Sequence, residues 1–393
     1  MMQPVYLDYN ATTPVDPQVL DAMLPYLRSE FGNPSSSYAL GKRARTAIED
    51  ARAQIAALIG AAPGEIIFTS GGTEASNIAI RSGARRNGER RTVVSTNIEH
   101  PATDACCDVL ARDGFKIHRA KAGFDGIVDP DGFRDLINSS TALVTVIHAQ
   151  NEIGTLQPIA EISAIARHYG ALVHADAAQS VGKVAVDVSA MGVDLLSIAG
   201  HKLYAPKGVG ALYVREGLDV PSILAGAGQE HGRRPGTENV AFIVALGEAS
   251  RIAAEKLDNN FRHMKAAASV LLKRLTADVP GLELVGHTGQ RLPNTLNVLF
   301  PAVSGRALLD RCPQVLASNG SACHADREEA SAILTRIGID PEIALGAVRL
   351  SVGRDTTMED ADAAGAALAT AWWELRQQSH PAANRTVSAT RGR

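Results

Sequence analysis

ALVHADAAQSVGK (171–183) joins a short apolar, β-branched run to a polar loop, and the join falls on a carboxylate, Asp176. An apolar run of this length, bounded by polar residues, predicts a strand buried on both faces. Outward from it the same unit recurs as EIIFTS (65–70), RTVVST (91–96), ALVTVIHA (142–149), DLLSIAG (194–200) and GALYV (210–214), with amphipathic stretches between. Buried strands alternating with helical segments predict a mainly parallel sheet wrapped by helices, an α/β core.

Beyond this region the pattern changes. A proline-free helical stretch spans about 236–276, and LPNTLNVLF (292–300), QVLAS (314–318) and AVRLSV (347–352) then alternate with helices near 305–310, 328–336 and 358–377. We expect a large α/β domain over 15–250 and a smaller α+β domain built from 1–14 and 251–377. The polar, patternless stretch 378–393 is expected to be a disordered tail.

A chain of 393 residues, 45% of them hydrophobic, can bury the cores of two domains. A formal net charge of −3 with scattered basic residues argues against nucleic acid as a partner. No apolar run approaches the roughly 18 residues of a membrane span, and the first residues do not read as a leader, so a cytoplasmic enzyme is expected. The four cysteines, Cys106, Cys107, Cys312 and Cys323, form no CxxC pair and suggest a reducing compartment.

Four motifs carry chemistry. In TSGGTEASNIAI (69–80) a strand ends at Gly71 and Gly72 and a helix begins at about Thr73; free N–H groups at such a terminus either bind phosphate or are simply capped by local residues. Asp176, at the end of a buried strand, needs a cation or several donors, and it either caps the next helix or pairs with a protonated ring nitrogen. In LLSIAGHKLYAPKGVGAL (195–212), Lys202 follows a strand on the face where α/β enzymes bind ligands, placed for an imine with an aldehyde. In VLASNGSACHADREEA (315–330), Cys323 sits among small and polar residues, which suits a thiolate that reaches a substrate. His324 beside it could tune that thiol, and no second Cys/His pair has metal-ligand spacing.

Together with YLDYNATTP (6–14), FGNPSS (31–36), EH (99–100), QNEIG (150–154), RPGTEN (234–239) and RLSVGR (349–354), these motifs resemble those of the NifS-like cysteine desulfurases and selenocysteine lyases, in the class V aminotransferase group. The resemblance covers nearly the whole chain. It implies the aspartate aminotransferase-like fold type I of pyridoxal-phosphate enzymes, with pyridoxal 5'-phosphate as cofactor. It implies further that Lys202 holds the cofactor as an imine and serves as base, that Asp176 pairs with the ring nitrogen, and that His100 stacks on the ring and manages a proton. Gln179 would meet the ring oxygen, while Gly72, Thr73 and His201 would hold the phosphate. Thr237 would reach the phosphate in a neighbouring subunit, which implies a homodimer with shared sites. Asn151 and Arg349 would hold the substrate carboxylate, and Cys323 would take the sulfur for an acceptor protein.

Two positions depart from the family pattern. Ala199 stands where many desulfurases have serine, which removes one phosphate donor, and His324 stands where serine or threonine is usual. SACHAD, RPGTEN and LPNT look closer to selenocysteine lyases, so L-selenocysteine is the alternative substrate to L-cysteine. Another class V activity, or a scaffold without catalysis, would have no use for the Cys323 loop or for Lys202 and Asp176 respectively.

Overall fold

The computed structural model describes residues 4–319 and 329–378. After a two-residue strand, β1 (Val5–Tyr6), come β2 (Ile66–Thr69), β3 (Thr92–Thr96), β4 (Lys116–Ala120), β5 (Thr141–Ile147), β6 (Leu172–Asp176), β7 (Leu195–Ala199) and β8 (Gly210–Val214). Of the seven from β2 to β8, all but β4 bury every residue, which is why their sequences read as mainly apolar, β-branched runs. β4, with the sequence KIHRA, lies at the edge of the sheet with three residues exposed, so no apolar run announces it.

These seven strands form one sheet in the order β2-β8-β7-β6-β5-β3-β4. Strands β3 to β7 run parallel, and β8 is antiparallel to both its neighbours, β7 and β2. Every strand but β8 therefore ends on the same side. Mostly parallel and flanked by helices, the large sheet agrees with the fold type I architecture that the resemblance implies.

The second sheet is antiparallel and combines β9 (Glu283–Val285), β10 (Thr295–Leu299) and β12 (Ala347–Ser351) in the order β12-β10-β9, while β11 (Val315–Leu316) pairs with β1. One helix, Val240–Asp278, serves both cores. Ile243, Leu246, Ala249 and Ile252 pack with the large sheet's apolar residues, and Met264, Ala267, Leu271 and Leu275 pack with Leu296, Val298 and Val348 of the small one. It begins later than the sequence pattern suggests because Asn239 caps it, accepting from the Phe242 N–H, and Gly236 ahead of it has a positive φ of 105°. No helix among the described residues is long and apolar enough to cross a membrane.

A buried ion pair ties the segment after β8 to this framework. Arg52, on the helix Ala39–Ile59, donates to Glu230 at 2.8 Å and to the Ile66 carbonyl at 2.6 Å, while Glu230 also accepts from the Phe68 N–H. Their side chains are only 4% and 3% exposed, so removing one partner strands the other without water. We expect Arg52→Met to cost about 3 kcal/mol or more of unfolding free energy in urea titrations. A loss below about 1 kcal/mol would mean that the carboxylate finds other donors.

Candidate active site

The C-terminal strand ends surround a cavity of about 340 Å³. Gly72 and Thr73 enter it after β2, His100 after β3, Asn151 after β5, Asp176 and Gln179 at the end of β6, and His201 and Lys202 after β7, with Arg349 from β12 closing one wall. Ligands in open α/β sheets bind on this side. Thr237 does not line the cavity and is exposed on the segment before the long helix; Cys323 and His324 lie outside the described residues.

At one end the helix Gly72–Arg85 points its first turn into the cavity, starting one residue earlier than the sequence suggests. A Cβ on Gly72 would stand 3.2 Å from the Ala199 Cβ, a tight contact that glycine avoids where this turn lies on the end of β7. Glu74, which would repel an anion here, is already engaged by the Ser70 N–H at 2.5 Å and by Arg234 at 3.0 Å. Burial, with Lys202, Lys207 and Lys183 nearby, lowers the His201 pKa to about 4, so the ring is neutral and can give one N–H. The Thr12 hydroxyl lies 3.2 Å from Nδ1, which suits a ring protonated at Nε2.

In the middle stand Asp176 and Lys202. The Asp176 carboxylate is buried and accepts from the Ala178 N–H at 3.0 Å; burial raises its pKa, against that hydrogen bond and the pull of His100 and Lys202. Lys202 Nζ donates to the Asn10 and Ala11 carbonyls at 2.5 and 2.6 Å. Burial, then the charge of Arg349, lowers its pKa to about 8, with Asp8 and Asp176 opposing. A phosphate seat, a buried carboxylate and a lysine of lowered pKa in one cavity suit a phosphorylated aldehyde with a basic ring.

The model of the class V aminotransferases matches residues 5–364. The chain belongs to this family. It is 41% identical over 363 residues to the cysteine desulfurase IscS of Dictyoglomus turgidum, covering 92% of each chain. It is 42% identical over 361 residues to that of Methanosarcina thermophila, covering 91% of this chain and 89% of the relative. Among solved structures a NifS-like protein superposes with a TM-score of 0.88 at 34% identity, over 95% of this chain and 100% of that one. A structure of SspA in complex with cysteine matches with a TM-score of 0.79 at 34% identity, over 89% and 99%.

Pyridoxal phosphate is the cofactor of this class V aminotransferase, and the residues fit it. The first turn of the helix at Gly72 and Thr73 borders the cavity with a helix N-terminus, and among the described residues no side chain hydrogen-bonds the buried Asp176 carboxylate. At the far end Arg349 donates to Asp8 at 2.7 Å and to the Asn151 carbonyl at 3.3 Å, while its buried Nε has no partner among the described residues. It is thus both an ion-pair partner and a pocket wall with donor capacity left. His100 likewise does two things, lining the cavity and capping the helix Pro101–Arg112 by accepting from the Ala102 N–H at 3.1 Å.

Several residues escaped sequence reasoning. Asn10 lies in the quoted YLDYNATTP motif but had no assigned part; its backbone carbonyl accepts from both Lys202 and Gln179. Lys183 bonds Gln179 from behind, and Glu99 lies buried beneath the cavity, accepting at Oε1 from the Thr96 hydroxyl at 2.6 Å and the Ile147 N–H at 2.9 Å. Its Oε2 has no partner among the described residues, and burial raises its pKa to about 8. The described cysteines are no nucleophiles, since burial pushes Cys106, Cys107 and Cys312 up to about 11, 12 and 11.

Two pH dependences follow from these groups. Glu99 holds its proton in the fold up to about pH 8 and in the unfolded chain only to about 4.5, so the folded state binds more protons between them and this residue's contribution to stability falls as pH rises through that window. Glu99→Gln, which mimics the protonated form, should unfold at an increasingly higher temperature than the parent from the acid to the alkaline end; a constant difference would refute the buried proton. For Lys202 only the neutral amine attacks an aldehyde. Cofactor uptake by the apoprotein should therefore speed up with pH and level off above about 8, as stopped-flow absorbance would record. A rate still climbing toward the ordinary lysine value of 10.5 would contradict it.

Proposed function

We propose that this chain is a cysteine desulfurase that converts L-cysteine to L-alanine and passes the sulfur through Cys323 to an acceptor protein. The observation that carries this reading is the gathering of Lys202, Asp176 and Arg349 in one cavity, in a chain whose relatives are named cysteine desulfurases.

Bound pyridoxal phosphate supplies electron withdrawal from the substrate's Cα, which makes its proton acidic. The chain's residues do the rest. Gly72, Thr73 and His201 would hold the cofactor's phosphate, His100 would lie against its ring, and Gln179 would donate to its ring oxygen. Asp176 keeps the ring nitrogen protonated, and the gain is mutual because a buried carboxylate is costly without a cation. Arg349 and Asn151 hold the substrate carboxylate, so that Lys202 can take the proton from Cα. The Cys323 thiolate then attacks the substrate sulfur. The Cβ–S bond breaks with its electron pair going to Cβ, which is protonated to a methyl group, and a S–S bond forms on Cys323. Alanine leaves, and the persulfide remains.

Thr237 is exposed and away from its own cavity, which supports a homodimer in which Thr237 of the partner subunit completes the phosphate seat. The pairs Arg52–Glu230 and Arg234–Glu74 hold that segment beside the helix Gly72–Arg85, where it would meet a second copy. The three free, buried cysteines suit a reducing compartment, and we place the protein in the cytoplasm.

Lys202→Ala should yield a colourless protein on which borohydride fixes no cofactor, with alanine release down at least about a hundredfold. Cys323→Ala should keep the colour and lose alanine formation from L-cysteine. Intact cysteine turnover in Cys323→Ala would defeat the persulfide route, and turnover of L-selenocysteine alone would favour a lyase.

A further inference from the structure

Lys183 stands behind the catalytic cavity rather than in it. Its Nζ is buried and donates to Gln179 Oε1 at 2.7 Å and to Asn10 Oδ1 at 3.0 Å. Asn10 Oδ1 also accepts from Asn294 at 3.0 Å, while the Asn10 amide nitrogen donates to the Thr295 hydroxyl at 2.8 Å and to the Asn151 carbonyl at 3.1 Å. The Asn10 amide is therefore oriented by several partners. The carbonyl end of the Gln179 side chain has one among the described residues, Lys183.

A glutamine amide offers a donor at one end and an acceptor at the other, and exchanging them costs only the hydrogen bonds that hold them. Lysine settles the choice. As an ammonium it has only N–H groups to give, and as an amine it still has two, enough for the two oxygens it meets. Gln179 must then turn its carbonyl to the back wall and its Nε2 away from it, where that nitrogen now donates to the Asn10 carbonyl at 2.9 Å. A side chain that merely filled this space would be apolar. Instead the amine is buried, with no carboxylate bonded to it among the described residues, and burial with Lys202 and Arg349 nearby drives its pKa well down. Tyr9, Tyr204, Lys202 and Arg354 are the other titratable groups around the small cavity on its far side.

We propose that Lys183 is a positioning residue that locks the Gln179 amide with its nitrogen toward the cofactor's ring oxygen. The inference rests on Gln179 meeting that oxygen, as proposed above. A donor there stabilises the more negative, deprotonated form of the bound chromophore, so its loss raises the pH at which the chromophore titrates.

Absorbance titration of the holoenzyme tests this with Lys183→Met, Gln179→Leu and the double variant. Each single change should raise the midpoint by about one pH unit, and the double variant should move no further than Gln179→Leu. An unmoved Gln179→Leu would refute the ring-oxygen contact itself. If Gln179→Leu shifts and Lys183→Met does not, only the Lys183 inference falls. It also falls if Lys183→Met adds an equal shift in the leucine background, because the lysine would then act by its own charge or packing. Should Lys183→Met not take up cofactor, Lys183→Arg decides, since it keeps a donor for Gln179 and should hold the parent midpoint; a full-unit rise there overturns the proposal.

Discussion

Asp176 and Lys202 end adjacent parallel strands, and neither charge is affordable in that place without the other features of the cavity. A carboxylate withdrawn from water at the end of β6 seeks a cation, and the amine after β7 lowers its pKa because it too is withdrawn. The sheet sets their relation, since β6 and β7 pair in register from His174–Leu195 to Asp176–Ser197. Everything else in the site is arranged around this buried dipole, including the phosphate seat on the β2 side and the arginine wall contributed by the smaller sheet.

The motifs that show in the sequence are those whose local pattern already contains the reason for their placement. Six strands of the large sheet are legible because burial on both faces leaves them mostly apolar and β-branched, with only scattered buried polar residues such as Ser95, Thr145, His174 and Ser197, and Asp176 and Lys202 are legible because they stand at or just beyond the ends of those runs. β4 is not, since three of its five residues face solvent at the sheet edge. Asn10 and Lys183 are illegible for another reason. They sit 173 positions apart and meet only when the first residues of the chain are laid across the ends of β6 and β7. The family motif contains Asn10, yet nothing in YLDYNATTP says that its carbonyl will accept from the lysine at position 202.

The helix Val240–Asp278 explains how two sheets form one site. Because its two halves belong to different cores, a displacement of the smaller sheet relative to the larger one must bend or tilt a continuous helix. Arg349 reaches the cavity from β12, across that junction, and its ion pair with Asp8 joins β12 to the residues after β1. The arginine wall of the cavity is thereby fixed to the N-terminal segment that also touches Lys202. A packing element far from the chemistry thus sets the distance between the amine and the guanidinium.

Charge balance gives the arrangement its direction. Lys202, Arg349 and Asp176 line the cavity, Asp8 pairs with Arg349 beside it, and the guanidinium helps to lower the Lys202 pKa. Lys183 stands behind them with its pKa driven well down by burial and by these two cations. A ligand with phosphate at the Gly72 end and carboxylate at the Arg349 end would draw on the helix N-terminus and the guanidinium, whereas a neutral molecule of the same shape would gain little from either. Selectivity for the anionic pair therefore begins in the electrostatics of the protein, before any contact to the reacting carbon or sulfur is made.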